Sequence, residues 1–334
     1  MHIKVYGVQP DEMEVYRRSE AEYGFTFEFA EGSLNENTVD ETGKCDGIIL
    51  LTTSRVTGTV AEKLAKQGVK YLATRSAGSD HIDYDSVVRY GMHCANVPFY
   101  APGAIAEHTI LMALSILRKS KRASHMVERG DFTLSGLRGR QLGELTAGVM
   151  GTGKIGRATA RLLNGFGSNV LGWDPYPNEE AEKLCTYTTR DKLLRASDII
   201  FLHCPLTPES YHMIDGEALE QMKEGAVLIN TARGGLVDHA AVLRALKSGR
   251  LGGFAFDVYE NEPAFLRKKI SWNQIEDSVF SELLAREDTM YSAHMAFCTD
   301  SAIRNMIEVT LNNMKEYDDT GKCRNEIKRD SVSI

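Results

Sequence analysis

From its first residues the chain alternates short apolar runs with stretches whose apolar positions recur at helical spacing. IKVYGV, FTFEF, GIILL, VKYLAT and HCANV are runs of strand length, separated by helical patterns such as VAEKLAKQG. APGAIAEHTILMALSILRKSKRASHMVERGDF follows, and its length and apolar spacing predict one long helical stretch leaving the first set of strands. A second alternation opens at AGVMGTGKIG and continues through NVLGWD, DIIFLHCP, AVLINTA, GGFAFDV and DTMYSA. From about Asp300, SAIRNMIEVTLNNMKEY has the apolar spacing of a helix that must pack on something, and the first set of strands is the expected place. Strands alternating with helices throughout predict an α/β protein with parallel sheets.

Composition refines this picture only slightly. A chain of 334 residues with 43% hydrophobic content is long enough for two well-buried domains. With 25% charged residues and a net charge of −7, it offers no surface suited to nucleic acid. RKSKR at 118–122 and KKI around Lys268 are short and read as solvated helix ends. Apolar runs such as GIILL are strand-sized, so no membrane partner is expected. MHIKVYGVQ reads directly as a strand, without the charged-then-apolar layout of a signal peptide. Cys45, Cys94, Cys185, Cys204, Cys298 and Cys323 lack metal or redox spacing, which predicts no metal site and the reduced thiols of a cytoplasm.

Chemistry enters with GTGKIG, where Gly151, Gly153 and Gly156 enclose Lys154 and Ile155 in G-x-G-x-x-G spacing. The motif follows the apolar strand AGVM and opens the helix RATARLLNGFG, which is the context a dinucleotide site requires. The first glycine permits the tight turn, the second lets backbone approach a pyrophosphate, and the third allows close helix-on-strand packing. The next strand, NVLGWD, ends in Asp174, whose carboxylate can accept hydrogen bonds from ribose hydroxyls and repels a 2′-phosphate. NAD rather than NADP is the expected cofactor. LHCPLT at 202–207 and INTARGG at 229–235 also fall where strands end, on the side where open α/β sheets bind ligands.

Three polar side chains stand out in this second alternation. Arg233 follows a strand and precedes Gly234 and Gly235, Glu262 lies just beyond GGFAFDV, and His294 follows DTMYSA. Taken singly, each is equally readable as a surface arginine, a loop glutamate or a core histidine. If their strands end on one edge of one sheet, the arginine can bind a carboxylate, and the glutamate can support a histidine that moves a proton. A glutamate partner favours the imidazolium and keeps that proton available near neutral pH.

Together GTGKIG with Asp174, HCPLTPES, INTARGGLVD, DVYENEP and His294 resemble the NAD-dependent D-2-hydroxyacid dehydrogenase family, over essentially the whole chain. TRSAGSDHID (74–83) and NVPFYAPGAIAEHT (96–109) are similar to two further family blocks. The long segment from Glu262 to His294 looks like the branch of D-lactate and D-2-hydroxyisocaproate dehydrogenases. The resemblance implies two Rossmann-like parallel-sheet domains, one flavodoxin-like and one NAD-binding, with an active-site cleft between them. Residues 1–99 with 299–334 would bind substrate, and 100–298 would bind NAD, in a homodimer formed through the NAD-binding domain. It implies Arg233 orienting a 2-keto acid and Glu262 paired to His294 as proton donor. Ala77 and Gly78 would hold the substrate carboxylate through their amides, with Tyr100 and Phe297 shaping the pocket. Asp257 would lie near the nicotinamide, while Cys204, Pro205, Ser210, Thr231, Ala232 and Arg233 would line the dinucleotide. Substrate size would be set around Thr52 to Ser54, Tyr100, Phe297 and the 264–290 segment.

Three positions depart from the family pattern. Ser292-Ala293 stands where Thr-Pro is usual, which removes a fixed φ and predicts a less rigid His294. Gly103 replaces the common Asn and predicts a looser hinge-side loop, and Ser210 stands where Asn is frequent. The expected activity is reduction of pyruvate or a larger branched or aromatic 2-keto acid by NADH. The alternatives are a D-lactate-forming reductase serving cell-wall precursors and an NAD-sensing, co-repressor-like binding protein.

Overall fold

In the computed structural model, which describes residues 1–327, the alternating segments become twelve strands and twelve α-helices in two compact units. One unit is Met1–Ala101 together with the segment that begins at Thr299; the other is Pro102–Cys298. The last seven positions of the expected 299–334 segment lie outside the described residues.

The first unit runs β1 (His2–Tyr6), α1 (Pro10–Tyr23), β2 (Thr26–Ala30), β3 (Gly47–Leu50), α2 (Gly58–Lys66), β4 (Tyr71–Thr74), α3 (Tyr84–Arg89) and β5 (His93–Ala95). Its sheet has the order β2-β1-β3-β4-β5, with every pairing parallel. That is the flavodoxin-like order. Parallel strands covered on both faces are apolar almost throughout, as Gly47–Leu50 illustrates with every position buried. One face of this sheet is closed by the last helix among the described residues, Asp300–Thr320, whose Ile307, Leu311, Met314 and Tyr317 pack with Ile3, Val5, Ile49 and Ala73. The opposite core contains Val60, Leu64, Val87 and Ile327.

The second unit begins with α4 (Pro102–Leu117) and α5 (Ser120–Glu128). The long helix expected here is thus broken at Lys119, which takes a left-handed conformation with φ 53°. The break falls where the apolar run ends: α4 buries Ile110, Met112, Ala113 and Leu117, whereas α5 buries none of its residues. RKSKR straddles this break, but Lys268 and Lys269, expected at a helix end, lie exposed in irregular chain. Gly103 lies in the first turn of α4, not in a loop, so the looser loop expected there is absent.

The unit continues with β6 (Thr146–Met150), α6 (Lys154–Phe166), β7 (Asn169–Trp173), α7 (Glu179–Glu182), β8 (Thr186–Tyr187), α8 (Arg190–Ala196) and β9 (Ile199–Leu202). It ends with α9 (Gly216–Gln221), β10 (Ala226–Asn230), α10 (His239–Ser248), β11 (Leu251–Phe256), α11 (Ser278–Ala285) and β12 (Thr289–Tyr291). The order β12-β11-β10-β9-β6-β7-β8, again all parallel, reverses direction between β6 and β9. This is the dinucleotide-binding arrangement, in which ligands bind outside the carboxyl ends of the strands at the reversal. The helix Asp300–Thr320 completes the chain order as α12.

Candidate active site

The glycine turn lies at that reversal. Gly151 has φ +90°, and a side chain there would strike the backbone of His203 and Cys204 at 2.5–2.7 Å, so only glycine serves. A Cβ on Gly156 would fall 1.9 Å from the Gly151 carbonyl, because α6 rests directly on β6. Nothing lies within 4 Å of a Cβ built on Gly153, the residue that caps α6 without a side-chain cap bond. The open space beside it and the uncapped amides of a long helix suit a pyrophosphate. Lys154 is exposed and Ile155 half-buried in the same first turn.

Asp174, at the end of β7, is oriented by its neighbours: Oδ2 accepts the Thr152 amide at 2.7 Å and the Thr152 hydroxyl at 3.1 Å, and Oδ1 accepts the Tyr176 amide at 2.9 Å. Its remaining lone pairs suit ribose hydroxyls. Thr152, the residue between the first two glycines, carries no signal of this role in the sequence. The residues present therefore fit NAD.

After β9, His203 bonds Thr159 through Nε2 at 2.9 Å, and burial pushes its pKa down to about 3, so it is neutral. Burial likewise drives the Cys204 thiol up to about 12. Ser210 closes the turn that starts at Pro205: its hydroxyl donates to the Pro205 carbonyl at 2.8 Å and accepts the Thr207 amide at 2.7 Å. Thr231 is buried and shares a 2.7 Å hydroxyl bond with Thr109 of α4. The Ala232 amide donates to the Asn230 side chain, and its carbonyl accepts Arg233 Nη1 at 2.7 Å.

β10, β11 and β12 are adjacent and parallel, so the segments that follow them leave one edge of the sheet. Arg233, Glu262 and His294 stand in those three segments. The structure brings two of them into contact. His294 Nδ1 is 2.7 Å from Glu262 Oε1, and since a carboxylate can only accept, Nδ1 carries the hydrogen and Nε2 is left for other work. Glu262 Oε2 accepts the Tyr259 amide at 2.9 Å, so both carboxylate oxygens are fixed. The chain around Glu262 is anchored by aromatic packing, with Tyr259 against Phe280 at 4.6 Å, Phe265 against Phe280 at 4.4 Å and Phe256 against Tyr291 at 4.9 Å.

His294 is held at more points than the missing proline suggested. Its amide donates to the Asp257 carbonyl at 2.6 Å, its carbonyl accepts Arg267 Nη2 at 2.9 Å, and its ring meets the Phe297 ring edge-on at 6.4 Å. The Arg267 guanidinium lies over Phe297 at 5.5 Å. Asp257 is fully buried, and its carboxylate accepts three hydrogen bonds, from Ser292 Oγ, Met295 N and Ala296 N. In the first unit, the Ala77 carbonyl accepts the Asn96 side chain at 2.7 Å, the Gly78 carbonyl accepts Ser76 Oγ at 2.7 Å, and the Tyr100 carbonyl accepts the Asn305 side chain at 2.9 Å. Among the described residues no three His, Cys, Asp or Glu side chains gather as metal ligands, and no helix is long and apolar enough to cross a membrane.

A doubly wound sheet with a glycine turn and an acidic residue after its second strand, ending in a histidine–glutamate pair, defines a nicotinamide-dependent dehydrogenase. The comparisons narrow the class. The D-isomer specific 2-hydroxyacid dehydrogenase NAD binding domain is recognised over residues 110–296. An aromatic 2-oxoacid reductase of Clostridium sporogenes is 38% identical over 98% of this chain and 99% of its own. A D-lactate dehydrogenase of Escherichia coli is 38% identical over 98% of this chain and all of its own. The solved apo-structure of D-lactate dehydrogenase from Escherichia coli superposes with a TM-score of 0.88 at 36% identity, covering 98% of this chain and 100% of that one. The structure of D-2-hydroxyisocaproate dehydrogenase superposes with 0.87 at 36% identity, covering 98% and 99%. The chain belongs to the D-isomer specific 2-hydroxyacid dehydrogenase family. It is an NAD-dependent oxidoreductase of the CH–OH group, reducing 2-keto acids to D-2-hydroxy acids.

Proposed function

We propose that this enzyme reduces pyruvate or a larger branched or aromatic 2-keto acid, with His294 as the proton donor. The observation that carries this reading is the 2.7 Å bond between His294 Nδ1 and Glu262, which points the chemistry to Nε2. Bound NADH supplies the hydride to C2. His294 Nε2 protonates the oxygen that becomes the hydroxyl, and Glu262, with both oxygens fixed, keeps the imidazole oriented and balances its charge. Arg233 orients the substrate's carboxylate and keto oxygen, a geometry suited to a planar guanidinium. The Ala77 and Gly78 amides take the same carboxylate, and Tyr100 and Phe297 form apolar walls.

NAD is held by Gly151, Gly153, Lys154, Ile155 and Gly156 at the pyrophosphate and by Asp174 at the ribose. Cys204, Pro205, Ser210 and Thr231 to Arg233 line the rest, with Asp257 on the nicotinamide side. The C. sporogenes relative acts on aromatic 2-oxoacids and the E. coli relative on D-lactate, which supports a range of side chains without choosing among them. The exposed apolar residues Val127, Phe132 and Leu134 support a homodimer through this unit, and six free cysteines support a cytoplasmic setting.

Steady-state rates with pyruvate, ketoisocaproate and phenylpyruvate, for the parent and His294→Ala, test the reading. His294→Ala is expected to lower kcat by roughly 10²–10⁴-fold while NADH affinity stays within about two-fold. Equal turnover by parent and variant refutes it.

A further inference from the structure

The turn that carries His294 is strained. Ala293 and His294 are consecutive non-glycine residues with φ 54° and 55°, a left-handed pair that L side chains rarely adopt unless the surroundings hold it. A proline, with φ fixed near −65°, cannot occupy position 293 in this turn. What holds the pair is centred on Asp257. The Asp257 backbone carbonyl takes the His294 amide, and its carboxylate takes the amides of the next two residues at 2.8 and 2.9 Å.

On the other side of the strained pair, Ser292 Oγ donates to Asp257 Oδ1 at 2.5 Å. A hydroxyl has one hydrogen, and here the carboxylate has it. His108 Nε2, 2.9 Å from the same Oγ and 3.7 Å from Asp257 Oδ1, must therefore be the donor to Oγ. The chain of bonds runs in one direction, from the α4 imidazole through the serine to a fully buried carboxylate, and it grips the strained turn at both ends.

We propose that Ser292 and His108 are positioning residues for His294: with Asp257 they lock the left-handed Ala293–His294 turn and so fix the imidazole against Glu262. The proposal rests on the reading of His294 as proton donor, and it assigns to hydrogen bonds the rigidity that a proline would otherwise supply. Neither residue touches the Glu262–His294 bond, so their effect must pass through the backbone of the turn.

The test pairs kinetics with a readout independent of turnover, the downfield proton resonance of the His294 Nδ1–H bonded to Glu262, identified by its loss in His294→Ala. In Ser292→Ala and His108→Leu this resonance is expected to shift upfield or broaden away. kcat with NADH and phenylpyruvate is expected to fall about tenfold, and NADH affinity to stay within two-fold. Ser292→Thr and His108→Gln, which restore the donors, are expected to return both signals to within about three-fold of the parent. Should Ser292→Ala prove too unstable to study, position 293 decides. Ala293→Gly accepts the left-handed turn and is expected to keep kcat within two-fold, whereas Ala293→Val is expected to lose about tenfold. An unchanged resonance with kcat within two-fold in Ser292→Ala, or equal behaviour of Ala293→Gly and Ala293→Val, overturns the proposal. Undiminished turnover in His294→Ala would instead sink the proton-donor reading, and the resonance would still decide the lock on its own.

Discussion

Replacing His239 by leucine is expected to stabilise the protein, and by more at pH 5 than at pH 8. His239 begins α10 and is 4% exposed, wedged against Tyr259 at 4.4 Å and against Phe254 and Phe256 at 5.9 and 5.8 Å. Neither ring nitrogen has a hydrogen-bond partner among the described residues. Burial pushes its pKa down to about 4, although Glu260, Asp238 and Asp277 pull the other way. At pH 8 the gain from leucine is the relief of buried, unpaired polar atoms, about 1–3 kcal/mol less whatever packing is lost. At pH 5 a second effect adds to it. Between the folded value and an unfolded value near 6.5, the unfolded chain binds more protons, so this histidine's contribution to stability is present above about pH 6.5 and is lost as pH falls toward 4. From pH 8 to pH 5 the loss amounts to about 2 kcal/mol, and leucine does not suffer it. Urea unfolding at pH 5 and pH 8, followed by fluorescence and circular dichroism, measures the difference. His203, also buried and neutral, is common to both proteins and cancels. An equal stability difference at the two pH values would refute the reasoning.

Other substitutions separate fold from site. Gly153→Ala meets no atom and is expected to leave the melting temperature within about 2 °C while raising the NADH dissociation constant at least tenfold, by fluorescence titration. Gly156→Ala drives a methyl onto the Gly151 carbonyl and is expected to lower both stability, by about 2 kcal/mol or more, and NADH affinity. Asp174→Ala removes the charge that repels a 2′-phosphate, and the NADPH-to-NADH ratio of kcat/KM is expected to rise on the order of tenfold. Glu12→Gln breaks the buried pair in which Arg75 donates to Glu12 at 2.8 Å and to the Gly7 carbonyl at 3.0 Å; roughly 3 kcal/mol of stability should go with it, read by urea unfolding.

Much of this architecture is legible in the alternation itself, because parallel strands buried on both faces must be apolar runs bounded by turns. β9, β10 and β11 are such runs, and once they are taken as neighbours the segments after them must share one edge. That is why Arg233 and Glu262 stand out from one-dimensional data. The contact between Glu262 and His294 is harder to read, since it depends on how a 32-residue separation closes, and Phe265 packing on Phe280 does the closing. Of the lock on His294 the sequence shows only Ser292-Ala293 standing where Thr-Pro is usual, which points to a looser histidine and not to a held one. His108 and Ser292 are 184 positions apart, and a left-handed alanine leaves no compositional trace. Lys119 misled for the same reason: its left-handed φ breaks a helix without the glycine or proline that usually announces a break. β8, two residues long, is too short for any periodicity to register.

The closure of the first sheet by α12 has a consequence for how the protein is made. Ile3 and Val5 are translated about 300 residues before Ile307, Leu311, Met314 and Tyr317, the α12 side chains that pack on them. The Pro102–Cys298 unit is continuous in sequence and has all its own strands before α12 is made, so its folding need not wait for α12. Until α12 is made, that face of the β1–β5 sheet lacks part of its apolar cover. A stop codon just before α12 would leave the Pro102–Cys298 body whole, joined to a first sheet that lacks the cover of Ile307, Leu311, Met314 and Tyr317.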